Sequence, residues 1–369
     1  MIYLDYASTT PLRAEALEAM LPFLKEWFGN PDSLHAAGRR AALALQDARD
    51  EIASLLGVRS AEVYFTSGGT EADNWAVRCT AAAARGVCVS AIEHHAVLEA
   101  AQRVAQTGGR TVYVPVGREG VVTPEALAAH MDGAGLVGVM AVNNETGVIQ
   151  PVAALAEIAH ARGALMFSDC VQAAASCDLK PLAGACDLLS LSAHKVGGPK
   201  GTGVLVIKKG VRISPFVTGG EQERGLRGGT VNVAGAVGFA RALSLAARER
   251  EAFVRHTQAV RAVFEARLLE KAGGRIAVDG GARVPNISHV TVAGGGPALL
   301  AALDLRGLAC SAGAACAAHS TLPSHVMTAM GRTADEARAG LRFSFSLATR
   351  ETEAAAAAEI VLACLRGRE

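Results

Sequence analysis

An α/β fold built on a mostly parallel sheet is what this sequence predicts, on three observations. Short apolar runs rich in β-branched residues alternate with longer stretches of helical period. The runs are apolar nearly throughout, as in strands covered on both faces. The chain has 369 residues, enough for about two domains with a substantial core. Half of the residues are apolar and 19% are charged, which excludes a disordered chain. Thirty-six basic against 35 acidic residues leave +1, so neither nucleic acid nor a membrane surface is an expected partner. No run of 18 apolar residues predicts a membrane span, and the start, Met1-Ile-Tyr-Leu-Asp-Tyr6, does not read as a signal peptide.

Thr9-Thr-Pro11 reads as a helix start, followed by the stripe Leu17, Met20, Leu21, Leu24. Gly29-Asn-Pro-Asp-Ser33 is a turn, and 38–56 a second helix. Seven strands are expected at Glu62–Thr66, Gly86–Ser90, Arg110–Val116, Leu136–Val142, Ala164–Ser168, Leu188–Ser192 and Gly203–Lys208, with helices between most of them. The last follows its predecessor too closely for a helical crossover, so it is expected to pair differently. A long charged helix covers 236–271, then a strand Ile287–Val292, a helix 297–306, a small-residue segment 307–318 and an Ala-rich helix 349–367. The division expected is a large domain over 14–248 and a small one made of 1–13 and 249–369.

Eight cysteines without a Cys-x-x-Cys pair argue against a disulfide scaffold and a structural zinc site, so no metal is expected. A reduced cytoplasmic protein with mostly buried thiols is the plain reading. Three stretches carry chemistry. Thr66-Ser-Gly-Gly-Thr70-Glu-Ala-Asp-Asn74 joins a strand to a helix, and its small residues suit an anion at a helix N-terminus, although an ordinary capped turn would look similar. Ser192-Ala-His194-Lys195-Val-Gly-Gly places a lysine between a buried strand and a glycine turn, where desolvation suits an amine to Schiff-base chemistry. A solvated turn lysine is the alternative. Phe167-Ser-Asp169-Cys-Val-Gln172 sets a carboxylate at a strand's C-terminal edge, where α/β enzymes hold ligands; loop starts carry such residues too.

In this order, with His94 and Asn144, these residues resemble the class V aminotransferase superfamily, fold-type-I pyridoxal-phosphate enzymes. More narrowly the chain resembles the NifS/IscS-type cysteine desulfurases. The similar stretches are Tyr3-Leu-Asp-Tyr-Ala7, Gly29-Asn-Pro31, Thr66–Asn74, Glu93-His-His-Ala96, Val142-Asn-Asn-Glu145, Arg227-Gly-Gly-Thr230, Ser311-Ala-Gly-Ala-Ala-Cys316 and Arg342-Phe-Ser344. The resemblance implies pyridoxal 5'-phosphate carried by Lys195, with Asp169 at the pyridine nitrogen, Gln172 at the phenolic oxygen and His94 stacked on the ring. Gly69, Thr70, Ser192 and His194 would hold the phosphate, and Thr230 that of a neighbouring subunit, which requires a homodimer. Asn144 would lie beside cofactor and substrate, and Arg342 would clamp the substrate carboxylate. Cys316, on a segment that reads as a mobile loop, would take sulfur from L-cysteine as a persulfide, leave L-alanine, and pass the sulfur to an iron–sulfur scaffold or another acceptor protein. Cys310 reads as structural. A selenocysteine lyase or another class V lyase or aminotransferase is the alternative. Cys170 departs from the usual small residue beside the aspartate. After Arg342, Phe-Ser-Phe-Ser-Leu-Ala-Thr349 lacks the Gly-Arg of many relatives.

Overall fold

The computed structural model describes residues 1–312 and 322–366. Seven strands form the large sheet, in the spatial order Val63–Thr66, Gly203–Ile207, Leu188–Ser192, Leu165–Asp169, Leu136–Gly138, Val87–Ser90, Thr111–Val114. All pairings are parallel except those of Gly203–Ile207, which runs antiparallel to both neighbours. The short connection from Ser192 to Gly203 dictates this, because it holds no covering helix. One sheet face packs on a core including Ile52, Val137, Met166, Leu189 and Phe239. The other packs on Trp75, Val89, Val97, Phe167 and Leu205. With both faces covered, the continuous apolar runs have a physical cause.

The helix Val233–Lys271 has 39 residues and is about 58 Å long at 1.5 Å per residue. Its first half buries Phe239 and Leu243 in the large-sheet core. Its second half buries Val260, Phe264 and Leu268 in a separate core with Leu4, Val290, Phe343 and Val361. That core rests on an antiparallel sheet of Gly340–Ser344, Ile287–Val292 and Ile276–Val278. Ile2–Tyr3 pairs in parallel with Leu308–Ala309 beside it. The expected combination of a mostly parallel sheet and a smaller α+β unit is therefore present.

The first helix differs from expectation. It spans Ala14–Lys25, not a segment opening at Thr9-Thr-Pro11. Residues before it run along the lysine loop: Thr10 N–H and Oγ1 donate to His194 O, and Arg13 N–H donates to Gly197 O. These tertiary bonds satisfy the donors that a helical turn would have left open, so the local proline signal loses. The stripe is also not the buried face. Ala16 is the residue of this helix that is buried, while Leu17 and Leu24 are exposed.

Candidate active site

The parallel strands deliver their C-terminal ends to one crevice, the position where open α/β sheets bind ligands. A cavity of about 370 Å³ opens there, lined by Gly69, Thr70, His94, Asn144, Asp169, Gln172, Ser192, His194, Lys195 and Arg342. Ten sequence-predicted residues thus meet. Two do not join them. Thr230 is exposed and does not line the cavity of its own chain. Cys316 lies outside the described residues.

Lys195 follows the Leu188–Ser192 strand by one short turn. Its Nζ donates to Ala7 O at 2.6 Å and Ser8 O at 2.9 Å, which fixes the amine at the cavity wall. Asp169 closes the neighbouring strand and is buried; burial pushes its carboxyl up to about 6. The Val171 N–H, donating at 2.8 Å to Oδ1, and the Lys195 charge pull the other way. A cation arriving beside Asp169 would favour its ionised form further.

His94 caps the helix His95–Gln106: its Nδ1 accepts the Ala96 N–H at 3.1 Å. That bond leaves the neutral ring's proton on Nε2. Burial, assisted by Lys195, His95 and His325, holds the imidazole down at about 4, so it is neutral at pH 7. His194 is pushed down to about 4 as well, by burial and then by Lys195 and Lys200; its Nδ1 lies 3.1 Å from Thr9 Oγ1. Gln172 Nε2 donates to Ala7 O at 2.9 Å, so the N-terminal strap is tied to both Lys195 and Gln172.

The helix Gly69–Cys79 begins without a side-chain cap, and its first turn faces a hollow lined also by Ser192, His194 and Lys200. A Cβ on Gly69 would meet Val171 Cγ2 at 2.9 Å, so glycine lets the turn approach the sheet. Glu71 in that turn accepts Arg227 Nε at 2.9 Å, which joins the Arg227–Thr230 loop to the helix.

Arg342 is 98% buried on its strand. Nη1 donates to Asn144 O at 2.7 Å, and Nη2 donates to Asp5 Oδ1 at 2.9 Å and to Ser8 Oγ at 2.6 Å. A carboxylate of the chain itself, Asp5, thus occupies one edge of the guanidinium. The thiols of buried Cys170 and half-buried Cys310 are pushed up by desolvation, that of Cys310 to about 12, and both remain protonated. Among the described residues, no His, Cys, Asp and Glu cluster could hold a metal ion.

Sequence reasoning gave no role to four titratable residues of the cavity wall: Asp73, His95, Glu145 and His325. Asp73 sits one turn beyond Thr70 on the same helix face, a spacing that could have found it. Its Oδ1 accepts Ser190 Oγ at 2.5 Å, and Ser190 is the cross-strand partner of Asp169. His95 and His325 come together only in three dimensions, with ring centroids 4.5 Å apart.

These groups fit pyridoxal 5'-phosphate. An anchored amine, a buried carboxylate at a strand end, a neutral aromatic ring and an uncapped helix start with hydroxyls beside it converge on one crevice. Fold and site together define a fold-type-I pyridoxal-phosphate enzyme. The aminotransferase class-V family model matches residues 2–356. The cysteine desulfurase IscS of Dictyoglomus turgidum is 41% identical over 357 residues, covering 94% of this chain and 90% of that one. A solved NifS-like protein superposes with a TM-score of 0.91 at 33% identity, over 99% of both chains. A structure of SspA in complex with cysteine superposes with a TM-score of 0.82 at 30% identity, over 94% of this chain and 99% of that one. The chain belongs to the class-V aminotransferase family and, within it, to the NifS/IscS-type cysteine desulfurases.

Proposed function

We propose that this protein removes sulfur from L-cysteine, leaving L-alanine and a persulfide on Cys316. The substrate C–S bond breaks, an S–S bond forms at the Cys316 sulfur, and a proton takes the place of sulfur on the substrate carbon. Pyridoxal phosphate, when bound, supplies the electron sink that makes the substrate's Cα–H acidic and weakens its C–S bond.

The side chains divide the remaining work. Asp169, as an anion, stabilises positive charge on the ring nitrogen. Lys195 carries the cofactor and then moves the Cα proton; Ala7 O and Ser8 O aim its amine. His94 would stack on the ring as a neutral imidazole, with its Nε2–H as a hydrogen-bond donor there. The Gly69–Thr70 turn, Ser192 and His194 hold the phosphate. Arg342 and Asn144 orient the substrate carboxylate, which exchanges with Asp5 at the guanidinium. Thr230 completes the phosphate site of a second copy in a homodimer. The large domain is taken as 14–248, and the small one as 1–13 with 249–369. An iron–sulfur scaffold or another sulfur-accepting protein removes the persulfide, and the reaction runs in the cytoplasm. Among the described residues no helix is long and apolar enough to cross a membrane.

The convergence of Lys195, Asp169 and His94 on one cavity, in a chain of this family, is the observation that carries the reading. Its test compares alanine formation by the intact protein and Cys316→Ser under anaerobic conditions. The serine variant should keep its cofactor and lose alanine formation. Undiminished alanine production would overturn the role of Cys316.

A further inference from the structure

A second cavity, of about 270 Å³, lies on the other side of the reaction cavity's wall. Ala7, Val171, Gln172 and Lys195 face both spaces. Its remaining walls are largely apolar: Pro11, Ala175, Val196, Ala246, Phe253 and Phe345. The segment Phe345–Ala348, which departs from the Gly-Arg pattern of many relatives, supplies one side. Small or aliphatic residues, Leu347 and Ala348, stand there, and the cavity opens beside them.

Two charges of opposite sign line the same cavity. Arg13 Nη1 and Glu249 Oε2 are 2.8 Å apart, and both side chains are partly exposed. Arg13 Nε donates to Val196 O at 3.1 Å. Arg13 Nη2 and Glu249 Oε1 have no hydrogen-bond partner among the described residues. One guanidinium nitrogen and one carboxylate oxygen are therefore left without a partner among those residues, on two side chains that line an apolar chamber. That pattern complements a molecule carrying a carboxylate and an ammonium on one carbon with an apolar tail.

We propose that this cavity is a second ligand site, separate from the reaction cavity, for a zwitterionic amino acid with a medium-sized apolar side chain. Arg13 Nη2 takes the α-carboxylate, Glu249 Oε1 takes the α-ammonium, and the side chain lies against Phe253, Phe345 and Leu347. The thiol substrate is too small to fill this chamber. The site needs no chemistry and stands independently of the proposed sulfur transfer.

Calorimetric titration of L-leucine into full-length, cofactor-loaded protein tests it. The cofactor is first fixed to its lysine with borohydride, so that amino acids cannot react in the first cavity. Saturable binding of one leucine per chain is expected. Ala348→Trp, on an exposed loop, should weaken it about tenfold or more by filling the chamber, and so should Arg13→Gln and Glu249→Gln. Leucine amide and 4-methylpentanoate, each lacking one charge, should bind as poorly as leucine does to those variants. Ala246→Phe, which fills the chamber from the helix side, serves should Ala348→Trp not fold, and circular dichroism and the cofactor band verify each protein. Absence of leucine binding to the folded parent overturns the site. Binding that survives both filling variants overturns its location. Binding of 3-methylbutan-1-ol as tight as that of leucine overturns the zwitterionic class.

Discussion

Glu93 offers a quantitative test of how burial sets charge around the site. The residue precedes His94 and is fully buried. Oε1 accepts Ser90 Oγ at 2.6 Å and Met140 N–H at 2.8 Å, while Oε2 has no partner. Burial, reinforced by Asp169, pushes the carboxyl up to about 8 from an ordinary 4.5, against the two donors. A carboxyl so raised keeps its proton in the folded chain after the unfolded chain has lost it. Stability from this group is therefore fully present below pH 4.5 and is lost as pH rises toward 8. The loss is about 1.4 kcal/mol per pH unit, or about 5 kcal/mol over the window. Glu93→Gln removes the slope. Its carbonyl keeps both donors, but its amide N–H groups sit where Oε2 has no partner, at a cost of about 1–3 kcal/mol. The variant should thus be about 2–4 kcal/mol more stable than the parent near pH 8, and less stable near pH 5. Urea unfolding of the cofactor-free protein across that range measures it. Parallel curves with the glutamine variant lower throughout would refute the reasoning, because they would mean an ionised, charge-assisted Glu93.

Three further outcomes are expected. Arg49→Met leaves the buried Glu223 carboxylate without its bidentate partner and should cost about 3–5 kcal/mol in urea unfolding; a loss under about 1 kcal/mol would show the pair to be wet. Gly203→Ala would put a Cβ 2.6 Å from Leu191 O and 2.7 Å from Gly68 Cα, so a loss of about 1–3 kcal/mol and weaker cofactor retention should appear in thermal melts with and without cofactor. The His94 ring, held down at about 4, should show an unchanged proton NMR shift from about pH 8 to 5; a midpoint near 6.5 would contradict its burial.

Elements whose register comes from local pattern were legible in the sequence. The apolar runs gave the seven large-sheet strands to within a few residues, and the short Ser192–Gly203 link gave the antiparallel one. Elements held by distant partners were not. Ile2–Tyr3 is a strand only because Leu308–Ala309 lies beside it, and Thr9–Pro11 stays outside the helix because His194 O takes the donors of Thr10 while Gly197 O takes the N–H of Arg13. Site residues on motif stretches, such as Lys195 and Asp169, could be named from their neighbours in the chain. Asp5 at Arg342, and His325 against His95, could not, because 337 and 230 positions of sequence separate the partners. The Arg13–Glu249 chamber was invisible for the same reason.

Peptide mass mapping after a single anaerobic turnover, with L-cysteine and no reductant, tests the sulfur-transfer claim most directly. The account predicts that the peptide bearing Cys316 gains one sulfur atom for every alanine released. Sulfur found on another cysteine, or alanine accompanied by free sulfide and an unaltered Cys316 peptide, would contradict it.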